Sequence, residues 1–501
     1  MSETTVTKKL GVPAIVLMIF SVIFGFTNPG IAFFRMSYAS IIWYIFGAIT
    51  YFLPMMFIAA EYAVSCRNEP GGGIYTWMRV AKGEFYGFVG TFMWYYAVLV
   101  WFTGMSARTW VPLSCFLFGE DKTKSWSILG LKNTQTLGLI GILLILSITF
   151  LATKGFKNVS TVAKIGGLSC TIINVLLYIT SLTILFFNKG FFEEPIKGIS
   201  TFTKSPNPAH TPITLIGFVT FAVFAYGGIE GLGSLVEKAK SAKTFSKACI
   251  IGTLFISFGY SLAIFFWGIS ANYSQLNSNP DVNMGNILYV LMRNLGYKLG
   301  LCLNMSQEGA INLGMIFMRG LGLSMLLSFF GALFTLIYSP IKSLLDGAPK
   351  NMWPSFLYKK NKADMPSKAM WLQAVIICSL IAIISFSVKD MRGFFEILQL
   401  LSNIAQCIPY IFIIASFSAF RRNDSLNHEY TIIKSKSAAV AVSILSSLIV
   451  TAATVFTAFE PVIVGKDPDR VFKTSCMIIA PVAFFIISFI IFSLYKKRAN
   501  N

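Results

Sequence analysis

The residues of this chain that could do chemistry sit inside stretches that are otherwise apolar. Within Phe218–Val236, glycines 227, 228, 231 and 233 crowd around Glu230, a carboxylate at about the mid-depth of a span long enough to cross a membrane. Each glycine costs a helix interior up to about 1 kcal/mol relative to alanine, so the helix breaks near Ala225–Gly228. A second interruption, Gly25-Phe26-Thr27-Asn28-Pro29, lies inside the span 10–34. Pro29 lacks an N–H and disfavours helical geometry at Asn28, while Thr27 or Asn28 can cap a restarted helix. A simple proline kink is the alternative there. A broken helix frees the carbonyls of its first half and the N–H groups of its second. Lipid tolerates such backbone, or a buried acid, only where both face protein or a water-filled cavity. Groups of this kind at mid-membrane bind a solute in transit.

Other polar residues are scattered through the spans. Trp94, Trp101 and Arg108 recur every seven residues and share one helical stripe. On a pathway face Trp101 walls a solute and Arg108 pairs an anion. Otherwise the tryptophans pack and Arg108 reaches the outer interface, which is the commoner outcome. Glu61 is expected to pair structurally with Arg67 or Arg79, and Arg319 to extend towards an interface. Asn68–Trp77, with Pro70 and three glycines, reads as a tight turn. Ser324 and Ser328 lie one turn apart, but serines more commonly bond within their own helix, and no sodium site is assigned. The two histidines, His210 and His428, fall in polar connections, and the eight cysteines show no paired spacing. Neither a metal site, a disulfide framework nor a cofactor is expected.

The elements that must hold these residues are membrane helices. Of 501 residues 55% are hydrophobic and 12% charged, about half the charge of a soluble protein. Twelve apolar spans are expected: 10–34, 38–65, 84–118, 135–153, 160–187, 212–236, 246–271, 309–341, 369–387, 392–419, 437–459 and 474–495. The first is too long for a leader core and is expected to be retained. The polar stretches 272–308 and 342–368 are expected to be loops. With the N-terminus inside, 25 of the 41 Lys and Arg fall on cytoplasmic segments and 14 on outer ones, so both termini are expected in the cytoplasm. The net charge of +20 then attracts anionic lipid at that face and is no nucleic-acid footprint.

The two breaks stand about 200 residues apart, and five spans begin with each. An odd number of spans per repeat inverts the second against the first. The expected organisation is one transmembrane domain over 1–501, with repeat one at 10–187, repeat two at 212–419 and two additional helices at 437–495.

Four stretches carry a family likeness: Val22–Gly30, Asn68-Glu-Pro-Gly-Gly-Gly-Ile-Tyr-Thr-Trp77, Phe221–Gly233 and Ser339-Pro-Ile-Lys-Ser-Leu-Leu-Asp-Gly-Ala-Pro-Lys350. Through them nearly the whole chain resembles the amino acid–polyamine–organocation superfamily, and within it the glutamate/γ-aminobutyrate antiporter group and its YjeM-like permeases. The resemblance implies an all-α fold of about twelve transmembrane helices, a 5+5 inverted repeat with helices 1 and 6 broken. It implies exchange of an amino acid for a related amino acid or amine across the bacterial cytoplasmic membrane by alternating access. Carried onto matching positions, the N–H groups of Gly25, Phe26 and Thr27 meet the substrate carboxylate. The carbonyls of Ile23, Phe224 and Gly227 meet its amine, and Asn28, Trp101, Ala225 and Tyr226 complete the candidate set. Many relatives have Gly-Ser-Gly at the first break where this chain has Gly25-Phe26-Thr27, which implies a narrower or differently held carboxylate. Only Lys496–Asn501 follow the last span, so gating by a C-terminal plug is not expected.

Two readings of Glu230 stand side by side. Desolvation at mid-membrane and the N-terminal end of the second half-helix act on its charge in opposite directions, as suits a group that couples protons or gating to transport. The other reading is a structural acid that caps half-helix N–H groups. At the level of the whole chain, an amino acid antiporter accounts for both breaks and for Glu230. Proton-coupled symport is the runner-up, and a non-transporting sensor on the same fold is a third class. A membrane enzyme would need catalytic polar clusters that the spans lack, and the oligomeric state is open between monomer and homodimer.

Overall fold

The structure is a computed structural model and describes residues 9–67, 69, 73–155, 159–208, 210–231, 236, 239–349, 352–426, 428, 431–465 and 469–499. Every regular element among them is helical, and the one β-bridge joins Leu10 to Ala239. In chain order the helices are α1 Val12–Ile23, α2 Thr27–Met36, α3 Ala39–Gly47 and α4 Leu53–Ser65, the last two joined through a π-helical turn, Ala48–Phe52. Then follow α5 Gly73–Lys82, α6 Glu84–Arg108, α7 Trp110–Phe118, α8 Asn133–Thr153, α9 Val159–Phe187, α10 Ser200–Thr203 and α11 Pro212–Ala225. The second half comprises α12 Ala242–Ser270, α13 Tyr273–Ser278, α14 Ile287–Cys302, α15 Gln307–Leu336 and α16 Ser339–Asp346. It ends with α17 Ser355–Tyr358, α18 Ser367–Ser387, α19 Met391–Arg422, α20 Lys436–Val464 and α21 Arg470–Ala499.

Among the described residues, 11 helices are long and apolar enough to cross a membrane, or 12 with α1 and α2 taken as one bent span. All twelve expected spans are matched to within a few residues. Each is an apolar run with no water-soluble alternative, and a helix is what satisfies its backbone in lipid. The helix α21 keeps most of its surface uncovered, with Ile479, Val482, Ile486 and Ile490 outward, as suits a helix facing lipid. In contrast, α19 and α6 are buried over most of their length and pack against one another.

The stretches read as loops hold helices. The segment 272–308 contains α13 and the sixteen-residue α14, which folds back on α15 as a hairpin. Its buried face runs Leu288, Leu291, Met292, Leu295, the helical spacing of a half-covered element. Gly296 and Gly300 allow the close approach: a Cβ on Gly300 would stand 2.7 Å from the Cα of Ala310, and one on Gly296 would stand 2.9 Å from the carbonyl of Leu313. Small residues at such a crossing are how helices pack without a hydrophobic drive between them. Likewise 342–368 includes the end of α16 and the short α17, and the expected tight turn over 68–77 becomes, from Gly73 onward, the amphipathic α5. Residues 68 and 70–72 of that turn lie outside the described residues.

Glu61 takes a different partner from the one its neighbours in sequence suggest. Arg421, at the end of α19, donates to it at 2.8 Å, with both side chains at most 5% exposed, while Arg79 pairs with Glu69. Sequence proximity favours Arg67 and Arg79; helix packing decides for the residue 360 positions away.

Candidate substrate site at the helix breaks

The break between α1 and α2 is real and sharp. Pro13 starts α1, Phe24 leaves it with an extended backbone, and α2 restarts at Thr27, bent by 56° from α1. Pro29 falls in the first turn of α2, where its missing N–H has no partner to lose. The second break follows α11, which opens on a capping box between Thr211 and Thr214 and ends at Ala225. The chain then passes through Gly228 at φ +105°, a conformation open to glycine, into a single tight turn at residues 229–231. The rest of the expected second half-helix, at 232–235, lies outside the described residues.

The two breaks abut. A Cβ on Gly228 would stand 3.1 Å from the carbonyl oxygen of Val22, so only a glycine lets the second break lie on the end of α1. Away from the breaks the two segments are tied as well, since the Lys240 N–H donates to the Leu10 carbonyl at 3.1 Å.

Tyrosines from two neighbouring helices fill the space between. Tyr260 of α12 places its hydroxyl between the breaks: it accepts from the Gly25 N–H at 2.8 Å and from Asn28 Nδ2 at 3.3 Å. Its single proton reaches either the Ala225 carbonyl at 2.7 Å or that of Ile23 at 3.1 Å. The ring is fixed by stacking on Phe24, with centroids 4.6 Å apart, and by contacts with Tyr44 and Tyr226. Tyr410 of α19 accepts from the Gly228 N–H and from Gln406 Nε2, each at 2.8 Å, and donates to Glu230 Oε2 at 2.5 Å. Trp94 Nε1 donates to the other carboxylate oxygen at 3.3 Å. Glu230 thus accepts at both oxygens, from α6 and α19, immediately after the break.

Of the residues singled out in the sequence, Ile23, Gly25, Asn28 and Ala225 converge on one hydroxyl, that of Tyr260. The Phe224 carbonyl accepts from Gly227 N–H at 3.0 Å, and a Cβ on Gly227 would lie 3.2 Å from Gln406 Nε2. Phe26 is buried edge-on against Trp267, and Tyr226 stacks on Phe52 with centroids 4.3 Å apart. Thr27 is half-buried at the start of α2. Trp101 stands apart, 36% exposed, with no hydrogen bond or ring contact to either break among the described residues; its stripe partner Trp94 is the one that reaches Glu230. Arg108 turns inward instead of snorkelling. Its Nη2 donates to Gln399 Oε1 at 3.0 Å, and Gln399 in turn donates to Asn403 at 2.8 Å, an acceptor chain inside the bundle that an interface would not supply.

Tyr260, Tyr410 and Gln406 escaped the sequence reading. A tyrosine in an apolar span looks like packing, and Tyr260 carries no further signal. Gln406-Cys407-Ile408-Pro409-Tyr410 did carry one, an amide and a proline in the middle of a span, the same kind of irregularity that marks the two breaks.

With this geometry in place, known proteins supply the family. A sequence profile described as amino acid permease matches residues 10–484. The inner membrane transporter YjeM of Salmonella typhimurium is 40% identical over 499 residues, covering 99% of this chain and 98% of that one. Its namesake in Escherichia coli K12 is 40% identical over 493 residues, 98% and 97% of the two chains. More distant is the glutamate/gamma-aminobutyrate antiporter of Lactococcus lactis subsp. lactis, 21% identical over 458 residues, or 91% and 84%. A chain that spans a bacterial membrane many times, breaks two helices against one another and matches this profile over nearly its whole length is a transporter and not an enzyme: it belongs to the amino acid permease family.

Proposed function

We propose that this transporter exchanges an amino acid, of the type of glutamate, for a related amino acid or amine by alternating access, with both termini in the cytoplasm and the basic inner face against anionic lipid. The substrate site lies at the paired breaks: Gly25, Phe26, Thr27 and Asn28 take the carboxylate, and the carbonyls of Ile23, Phe224, Ala225 and Gly227 take the amine, with Tyr226 as a wall and Trp101 outside it. The single observation carrying this is that backbone N–H and carbonyl groups from two half-spans meet within reach of one hydroxyl, that of Tyr260, deep in an apolar bundle. Backbone donors and acceptors gathered at one point suit a solute bearing a carboxylate and an ammonium. The five-plus-five organisation of 10–187 and 212–419, with 437–495 outside it, gives each break the first position of its repeat. Exchange is supported by the distant antiporter relatives.

Proton-coupled symport is the second reading, favoured by the carboxylate of Glu230 hydrogen-bonded at the second break. Proteoliposomes separate them: labelled amino acid is offered outside, with and without unlabelled amino acid or its decarboxylated amine inside. Exchange predicts uptake only into loaded vesicles, and symport predicts uptake into empty ones under an inward proton gradient. No uptake in either case would leave only a sensor.

A further inference from the structure

A cavity of about 670 Å³ opens at the far end of α2 from the break. It is framed by the ends of α2, α11, α19 and α20 and by the connection before α11. Two opposite charges line it without meeting. Arg35 of α2 lies over the rings of Phe218 and Phe221, its Cζ 5.3 and 5.5 Å from their centroids, and among the described residues no hydrogen bond takes up its guanidinium. Glu460 of α20 lines the cavity as well, with its Oε2 buried against α11, and among the described residues no hydrogen bond takes up its carboxylate. Gly217 leaves the room for it, since a Cβ there would stand 2.7 Å from that oxygen.

The other ionisable groups around the cavity are already engaged or lie at its rim. Glu396 is bonded to Lys473 at 2.8 Å. His210 shares contacts with Ser205 and Asn207, and burial first, then Arg35, pushes its imidazole down to about 4, so it is neutral at ordinary pH. Arg392 is exposed at the mouth. What remains inside, among the described residues, is one cation and one anion that no hydrogen bond takes up. A half-buried carboxylate without a donor is costly, and an ammonium supplies three donors. A guanidinium held by its face against aromatic rings still offers its edge, the part that matches a carboxylate.

We propose that this cavity is a second amino acid site, a vestibule station in which Arg35 takes the α-carboxylate and Glu460 the α-ammonium of a zwitterionic amino acid before it reaches the breaks. It rests on the reading of the breaks as the transport site. The two stations are separate: Gln399 lines the cavity, and Gln406 lies seven residues further along α19, about 10 Å at 1.5 Å per residue. Between them stands the chain from Arg108 through Gln399 to Asn403. Because both contacts are to the backbone end of the solute, the station accepts side chains of any charge.

Equilibrium binding to the purified full chain in lipid nanodiscs tests this, with tritiated L-glutamate, L-alanine and L-ornithine as acidic, neutral and basic probes. The parent is expected to bind two equivalents of whichever probe it transports. Arg35→Gln and Glu460→Gln, in two different helices, should each leave one equivalent at parent affinity and weaken the other at least tenfold. The vestibule equivalent should not be displaced by N-acetyl-L-alanine or L-alaninamide, each of which lacks one charge. Retention of the remaining equivalent shows that a variant is folded. A parent that saturates at one equivalent overturns the proposal, as do two variants that both keep two. Gly228→Val reports on the breaks independently: if it keeps both equivalents, the site at the breaks is misplaced while the vestibule stands. If it loses one while Arg35→Gln and Glu460→Gln lose none, the reverse holds.

Discussion

The hydroxyl of Tyr410 lies 2.5 Å from Glu230 Oε2 and 2.8 Å from the Gly228 amide, so one side chain of α19 holds both the carboxylate and the backbone turn that precedes it. Any movement of α19 relative to the second break must therefore carry Glu230 with it or break these bonds. A hydrogen bond to a charged group contributes about 1.5–3 kcal/mol, enough to bias a two-state helix arrangement more than tenfold. Glu230→Gln keeps an acceptor for Tyr410 but removes the proton-accepting group. If Glu230 couples protons or gating to transport, this variant binds the amino acid at near-parent affinity while its uptake rate loses its dependence on pH. Initial rates between pH 5 and 8 decide it, and a pH–rate profile that matches the parent leaves Glu230 with a structural role alone.

Bulk at the breaks should stop transport without preventing insertion. At Gly228 a valine meets two obstacles, a backbone at φ +105° and the Val22 carbonyl 3.1 Å from its Cβ. Strain of this kind costs of order 1–3 kcal/mol. Gly227→Val meets only contacts, with the Phe224 carbonyl at 3.0 Å and the amide nitrogen of Gln406 at 3.2 Å. Both variants are expected to be inserted and inactive, Gly228→Val with the lower thermal stability. Uptake at the parent rate in either would remove the second break from the substrate path.

The buried pair of Glu61 and Arg421 gives a prediction with a built-in control. Removing one partner leaves an uncompensated buried charge, at a cost of about 3–5 kcal/mol. Glu61→Gln should therefore lower the melting temperature markedly, since among the described residues Arg421 would keep only its bonds to the carbonyls of Ile433 and Lys434. The double variant Glu61→Leu with Arg421→Met should recover much of the loss. A double variant as unstable as the single one would show that the carbonyl contacts, and not the ion pair, are what holds this end of α19.

Much of this fold was legible because the bilayer restricts what an apolar run can become. The twelve spans needed only length and hydropathy, and the two breaks needed only glycine and proline in the wrong place for a helix. What was missed has two causes. The helix α14 carries Arg293, exposed, and Lys298, half-buried and paired with Glu193, which lowered its average hydropathy, although Leu288, Leu291, Met292 and Leu295 kept the helical spacing. Arg421 as the partner of Glu61, Gln399 as the partner of Arg108 and Tyr260 as the bridge between breaks are all settled by which helices lie side by side. That information is long-range and no local pattern contains it.

Stability should depend on acid through the connection before α11. Folded His210 takes up its proton only near about 4, against 6.5 for an ordinary histidine, chiefly because it is buried and secondly because Arg35 is close. Protonation then favours the unfolded chain. The contribution of neutral His210 is complete above pH 6.5, is drawn down as pH falls towards 4 and is gone below it. His210→Gln is expected to narrow the gap between the melting temperatures at pH 7 and pH 4.5. A gap as wide as the parent's would place the acid sensitivity in other groups.

Tyr260 offers the most direct probe of how the breaks receive a solute. Its hydroxyl occupies the Gly25 N–H and reaches the Ile23 and Ala225 carbonyls, which are groups that the proposed site offers to an amino acid. A solute that binds there must displace the hydroxyl, so part of its binding energy goes into breaking bonds already made. Tyr260→Phe keeps the ring, and with it the stacking on Phe24 at 4.6 Å, but it removes the competing oxygen. The free protein is then left with backbone groups unsatisfied at a cost of about 1–3 kcal/mol, and the bound protein is not. Affinity should therefore rise, by roughly tenfold for the lower part of that range, at 1.4 kcal/mol per factor of ten. Turnover should fall, because the site no longer has an internal ligand to replace the departing one. Binding that instead weakens in Tyr260→Phe would mean that the hydroxyl contacts the amino acid directly and stays in the complex.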